Sequence, residues 1–254
     1  METEYGRFAA VYDSLMRGVD YDAWADYIVS LLTEQNVHPG DMVLDCACGT
    51  GELTIRLHQR GYITTGIDRS EEMLAVAQKK ARLAGQKIPF VCQDMRKLAL
   101  HKPVDAIVCA CDGVNYLLTK KDVNAFLTCA FQALKPGGTL LFDVSSAYKL
   151  EYVLGSQTYG EDTAECAYLW QNAYDPGSRL VEMNLSFFLP DGAGKYTRFT
   201  ERHVQRAHTA EELLEALDKA GFTDCRAFEA FTLSEPNAAS ERIQFAATKP
   251  NDCE

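Results

Sequence analysis

The apolar positions change period along the chain, and the changes mark its elements. From Tyr5 to Arg17 they recur every three to four residues, with Phe8, Val11, Tyr12 and Leu15 on one face, which predicts an amphipathic helix. Gly18 and Asp20 separate it from a second helix over Tyr21 to Thr33. His38-Pro39-Gly40-Asp41 is a turn signal. Met42-Val43-Leu44-Asp45-Cys46 then reads as a strand buried on both faces of a parallel sheet.

Strand and helix patterns alternate from there. Glu52 to Arg60 is helical and Gly61 closes it; Tyr62 to Ile67 is a strand. Ser70 is placed to cap a helix that carries Glu71 and Glu72 in its first turn and reaches Ala84, where Gly85 ends it. Strands follow at Ile88 to Cys92 and Val104 to Ala110. A helix over Lys121 to Ala133 stops at Lys135-Pro136-Gly137-Gly138, before a strand at Thr139 to Val144. Such alternation implies a parallel sheet covered by helices on both faces.

Beyond Val144 the period becomes two. Glu165 to Tyr174, Arg179 to Leu189 and Lys195 to Arg206 read as antiparallel strands joined by Asp175-Pro176-Gly177 and Asp191-Gly192. A helix resumes at Thr209, with Glu212 in the capping-box position, and Phe222 to Phe231 and Arg242 to Thr248 are the last strands. The expected architecture is a doubly wound α/β core of seven mostly parallel strands. Residues 1–145 and 207–254 form that core, and 146–206 an antiparallel β insertion serving as a substrate lid or a homodimer interface.

The informative stretch is Asp45-Cys46-Ala47-Cys48-Gly49-Thr50-Gly51, which leaves a strand and enters a helix. Gly49 and Gly51 permit torsions and close backbone approach that other residues resist. Asp68 ends the next strand, where a carboxylate can accept both hydroxyl protons of a ribose; Gln93-Asp94-Met95 follows the third. Asp94 can accept from an adenine amino group, and Met73 and Met95 can wall the ring; Met73 fits plain helix packing equally well. A dinucleotide fingerprint needs a third glycine where Thr54 stands, so a nucleoside without pyrophosphate fits better than a nicotinamide cofactor.

Composition narrows the partners. The chain has 254 residues, 47% hydrophobic, with a net charge of −11 and no basic run, which disfavours a nucleic-acid partner. No apolar run reaches the ~18 residues of a membrane span, and the polar, acidic start does not resemble a signal peptide. A cytoplasmic protein with reduced thiols is expected. Cys46, Cys48, Cys109 and Cys111 end two neighbouring strands. Their spacing differs from zinc knuckles, so no metal is expected and the thiols read as small apolar core groups.

Leu44 to Gly51, Gly66-Ile67-Asp68, Gln93-Asp94-Met95 and Leu134-Lys135-Pro136-Gly137-Gly138 resemble the successive motifs of class I S-adenosylmethionine-dependent methyltransferases, with their Rossmann-like fold. The start, Phe8 to Met16, the insertion and Glu201-Arg202-His203-Val204-Gln205-Arg206 are similar to a bacterial small-molecule subgroup related to sugar-amine and glycine N-methyltransferases. The usual family loop has glycine where Ala47 stands. The resemblance implies that Asp45 and Ala47, Cys48, Gly49 and Gly51 hold the amino-acid end of S-adenosylmethionine. Asp68 would hold the ribose, Arg69 the adenine edge, and Asp94 and Met95 the adenine. Cys111 and Asp112 would border the methyl. Tyr12 would close over the cofactor or simply pack its helix.

The implied reaction is methyl transfer to a small amine, carboxylate or hydroxyl compound. A non-catalytic cofactor-binding module and a nicotinamide-dependent oxidoreductase are the alternatives. Phe199, Glu201 and His203 share one face of a strand, so His203 with Glu201 is the candidate base; an ordinary sheet-surface pair has the same pattern. Tyr168, Trp170 and Tyr174 can wall an acceptor or pack a sheet, and Asn115 and Tyr116 lie within reach of one. Asp112-Gly113-Val114-Asn115 lacks the Asn/Asp-Pro-Pro-aromatic motif of many base methylases.

Overall fold

The computed structural model describes residues 8–192 and 194–251. The elements run α1 (Ala9–Leu15), α2 (Tyr21–Glu34), β1 (Met42–Cys46), α3 (Glu52–Gln59), β2 (Ile63–Asp68), α4 (Glu71–Leu83), β3 (Phe90–Cys92), β4 (Val104–Cys109) and α5 (Lys120–Ala133). They continue with β5 (Leu134–Ser145), β6 (Thr158–Asp162), β7 (Ala167–Asp175), β8 (Leu180–Pro190), β9 (Tyr196–Arg206), α6 (Ala210–Lys219), β10 (Thr223–Glu229) and β11 (Arg242–Thr248).

Seven strands form one sheet in the order β10-β11-β5-β4-β1-β2-β3. β11 runs antiparallel to both its neighbours and the other pairs are parallel. The chain winds outwards in opposite directions from β1 and β4, so their carboxyl ends open a crevice. Alternate residues of β1 feed the two layers. Leu44 and Cys46 pack with Phe126, Leu127, Leu213 and Leu217, and Val43 with Ile28, Leu31, Leu32 and Leu57. Each such large side chain contributes roughly 1.5–3 kcal/mol on burial.

The caps hold as expected. The Ser70 hydroxyl accepts from the Met73 N–H, and Thr209 and Glu212 form a reciprocal capping box. Lys135 to Gly138 do stop α5, but the pairing with β4 already begins at Leu134. It resumes at Thr139 after an irregularity that takes up the turn, with Gly137 at φ +75°. The third strand is shorter than its apolar run, beginning at Phe90. The expected start of the first helix, Tyr5 to Arg7, lies outside the described residues.

The antiparallel region is a separate four-stranded sheet, β6-β7-β8-β9. The hydrophobic pattern missed β6, because all five of its residues are exposed and none repeats an apolar period. A π-helical turn over Lys149–Leu154 was also unmarked. Phe187 and Cys166 of this sheet region pack with Phe8 and Ala9 of the N-terminal segment and with Met73 of α4. The second sheet is therefore seated on the core through α1 and α4. Among the described residues no helix is long and apolar enough to cross a membrane.

Candidate active site

The bend after β1 is held by its own backbone. Cys48 donates to the Ile67 carbonyl at 2.9 Å and Gly51 to the Cys48 carbonyl at 2.8 Å. Ala47, Gly49 and Gly51 have φ of +55°, +52° and +75°. At Gly51 a Cβ would lie 2.9 Å from Ala77 Cβ and 3.0 Å from Phe90, so glycine is what lets α4 and β3 approach the loop. At Gly49 a Cβ would meet nothing within 4 Å, so space stands open over that backbone.

Two carboxylates flank the bend. Asp45 is 2% exposed, and burial pushes its carboxyl up to about 7 despite a hydrogen bond from the Thr54 hydroxyl. Thr54, which replaces the third glycine of a dinucleotide loop, thus has its own task. Asp68 accepts from Gly49 N–H and Ser70 N–H, each at 2.9 Å; these bonds oppose the upward push of burial on its pKa.

These groups open onto one cleft. Tyr12, Asp45, Ala47, Cys48, Gly49, Asp68, Arg69, Met73, Asp94, Met95 and Cys111 all line it. Met73 also packs in the core, so both readings of it hold. Asp94 is gripped by Arg96, which holds its carboxyl below the usual range and also reaches Asp122 at 2.8 Å. Tyr21, Tyr116, Arg96, Thr50 and Glu52 join the lining. Of these Tyr116 was legible, and Thr50 as part of the loop from Ala47 to Gly51, whereas Tyr21, at the start of α2, carries no local signal. The α1 helix is tied across the cleft: Asp13 accepts from Thr50 Oγ1 at 2.6 Å and from Lys80 Nζ at 2.7 Å. Burial pushes the Tyr12 and Tyr21 phenols well up, so both stay protonated.

Several expected residues lie off the cleft wall. Gly51 sits behind the loop. Asp112 turns away, accepting from Gln205 Nε2 at 2.8 Å and Arg242 Nη2 at 2.9 Å. Asn115 is consumed by backbone: its amide bonds the Ser145 carbonyl, the Ser145 N–H and the Arg206 carbonyl at 2.9–3.0 Å. His203 is 4% exposed, with Nδ1 3.4 Å from the Tyr116 hydroxyl. Burial, and then the Arg69 charge, push its imidazole down to about 4. An adjoining carboxylate would act the other way, so Glu201 does not make His203 a strong base. Glu201 stands opposite Leu185 on β8, also off the cleft wall. Tyr168, Trp170 and Tyr174 pack within the second sheet region, near Phe187, Tyr159 and Glu151 respectively. Cys46 and Cys109 are buried apolar-core groups.

The profile of the family described as "Methyltransferase domain" matches residues 43–138. YqeM of Bacillus subtilis (strain 168), a proposed methyltransferase, is 42% identical over 246 residues, covering 96% of this chain and 97% of that protein.

The chain belongs to the S-adenosylmethionine-dependent methyltransferases.

The crystal structure of one such methyltransferase from Clostridium acetobutylicum ATCC 824 superposes with a TM-score of 0.87 at 34% identity, covering 97% of this chain and 99% of that one. A dTDP-3-amino-3,4,6-trideoxy-alpha-D-glucopyranose N,N-dimethyltransferase from Streptomyces venezuelae is 32% identical over 137 residues, 53% of this chain and 56% of that protein. Within this methyltransferase the Ala47 position is left-handed, a conformation that glycine would adopt at lower cost. The nicotinamide alternative falls with the family assignment.

Proposed function

We propose that this methyltransferase transfers a methyl group to a small amine, carboxylate or hydroxyl compound lodged at the end of the cleft lined by Tyr12, Tyr21 and Tyr116. The carrying observation is the continuity of the cleft, which runs from Asp68 and Asp94 to Tyr12, Tyr21 and Tyr116. The cofactor suits the first part: an open glycine backbone at Gly49, the Asp68 carboxylate on the cleft wall, and no crowding glycine-to-phosphate contact required. In this reading Asp45 and the loop hold its amino-acid end, Asp68 its ribose, and Asp94, Met95 and Arg69 its adenine. The bound cofactor supplies an electrophilic methyl on a sulfonium.

The protein's own contribution at the other end is positioning and exclusion of water. Three phenols and the Cys111 thiol border the acceptor side, and burial pushes the thiol and the Tyr12 and Tyr21 phenols well up, so these three stay neutral. An acceptor there must present an unprotonated lone pair at ~3 Å, in line with the breaking bond. His203, neutral at pH 7, can accept a hydrogen bond from Tyr116 and orient its hydroxyl towards the acceptor. The Streptomyces venezuelae relative, named for an amino-sugar substrate, supports an amine among these classes. The test is turnover of S-adenosylmethionine to S-adenosylhomocysteine against a panel of amines, carboxylates and hydroxyl compounds. Turnover with one class identifies the acceptor. Cofactor binding without turnover across all three overturns the small-molecule reading.

A further inference from the structure

Asp112 is the one residue between Cys111 and Gly113 that does not face the cleft, and both its neighbours do. Cys111 and Asp112 are consecutive left-handed residues, with φ of +59° and +57°, and neither is glycine. Non-glycine residues adopt that conformation in succession only when their surroundings impose it. Here the surroundings come from three distant strands. Asp143 of β5 accepts the Asp112 N–H at 3.1 Å. Arg242 of β11 bridges both carboxylates, its guanidinium 5.5 Å from the Trp24 ring centre. Gln205 of β9 donates to Asp112 Oδ2 at 2.8 Å.

The third partner differs in kind, because β9 belongs to the second sheet. Its neighbours also grip this segment: the Arg206 carbonyl accepts from Asn115 at 2.9 Å, and His203 meets Tyr116. We infer that Gln205 is a positioning residue: through Asp112 it holds Cys111 in the conformation that shapes the cofactor cleft, so the seating of the second sheet sets the geometry of the methyl-transfer end. This rests on the reading that the cleft takes S-adenosylmethionine. Gln205 is 4% exposed, bonds Asp112 and is not among the residues lining the cleft, so its effect is transmitted and not direct.

The test uses the full chain with S-adenosylmethionine and S-adenosylhomocysteine as titrants, measured by calorimetry well below the melting temperature. Gln205→Leu keeps the volume and removes the donor. Weakening of both affinities at least fivefold is expected, with Gln205→Leu adding little on top of Asp112→Ala, since both break one chain of contacts. A lowered melting temperature with both affinities within twofold of wild type would reduce Gln205 to a packing role and overturn the inference. So would fully additive losses in the double variant. Gln205→Asn, which retains the amide one methylene short, gives the same comparison if the leucine variant does not fold. Wild-type protein that binds neither titrant would instead fail the underlying cofactor reading, which separates the two.

Discussion

Gly49 donates its backbone N–H to Asp68 Oδ2 at 2.9 Å. One carboxylate therefore clamps the bend after β1 to the end of β2, and the same side chain lines the cleft. Loop shape and ligand recognition are joined in a single side chain, and a substitution there removes both.

Asp68→Ala should weaken S-adenosylmethionine binding at least tenfold, about 1.4 kcal/mol, through loss of a charge-assisted acceptor and of the loop anchor. Asp68→Asn, which keeps one acceptor oxygen, should fall between. Isothermal titration reads both. An unaltered dissociation constant in the alanine variant would falsify the ribose assignment.

Asp45 makes cofactor binding pH-dependent. Its carboxyl is held up to about 7 by burial, and the cofactor's ammonium group would favour the ionised form, so binding releases a proton. Affinity should then fall as pH drops below about 7, by up to tenfold per unit. The free protein behaves oppositely. Folded Asp45 binds its proton more tightly than the unfolded chain does, so this group lowers stability as pH rises from about 4 to about 7. Asp45→Asn should flatten both dependences. Affinity profiles of the two proteins that stay parallel from pH 5 to 8 would place the titrating group elsewhere.

His203 is neutral at working pH, so it should leave no inflection near 6.5 in a rate profile. Its folded value of about 4 lies below the unfolded one, so its stabilising contribution is present above about 6.5 and lost as pH falls through 4. His203→Ala should cut turnover at least tenfold while the cofactor dissociation constant stays within about twofold. Wild-type turnover in that variant, once an acceptor is in hand, would leave His203 a packing residue.

Gly51→Ala should destabilise the fold by about 2–3 kcal/mol in urea titration, since the new methyl meets Ala77 and Phe90 at 2.9–3.0 Å in a left-handed backbone. Ala47→Gly tests the opposite case: it relieves a left-handed alanine and should be neutral within about 0.5 kcal/mol, because added chain entropy offsets the gain. A milder Gly51→Ala effect would mean that α4 and β3 can move aside.

The amino-acid sequence by itself determined whatever rests on neighbours a few residues apart. The periods of the strands and helices, the Ser70 and Thr209 caps, the glycine bend and the acid closing β2 were all legible, because each is a local preference repeated or flanked within one element. Only the tertiary structure decided where side chains point once the chain returns on itself. The family resemblance implies that Asp112 borders the methyl, yet it faces Gln205 and Arg242, 93 and 130 positions away. His203 reads as a base beside Glu201, yet burial against the core makes it a weak one. Tyr21 reaches the cleft only because α2 folds beside it. Such orientations turn on a left-handed torsion at a non-glycine position, or on which apolar layer covers a polar group, and neither leaves a periodic mark in the order of residues.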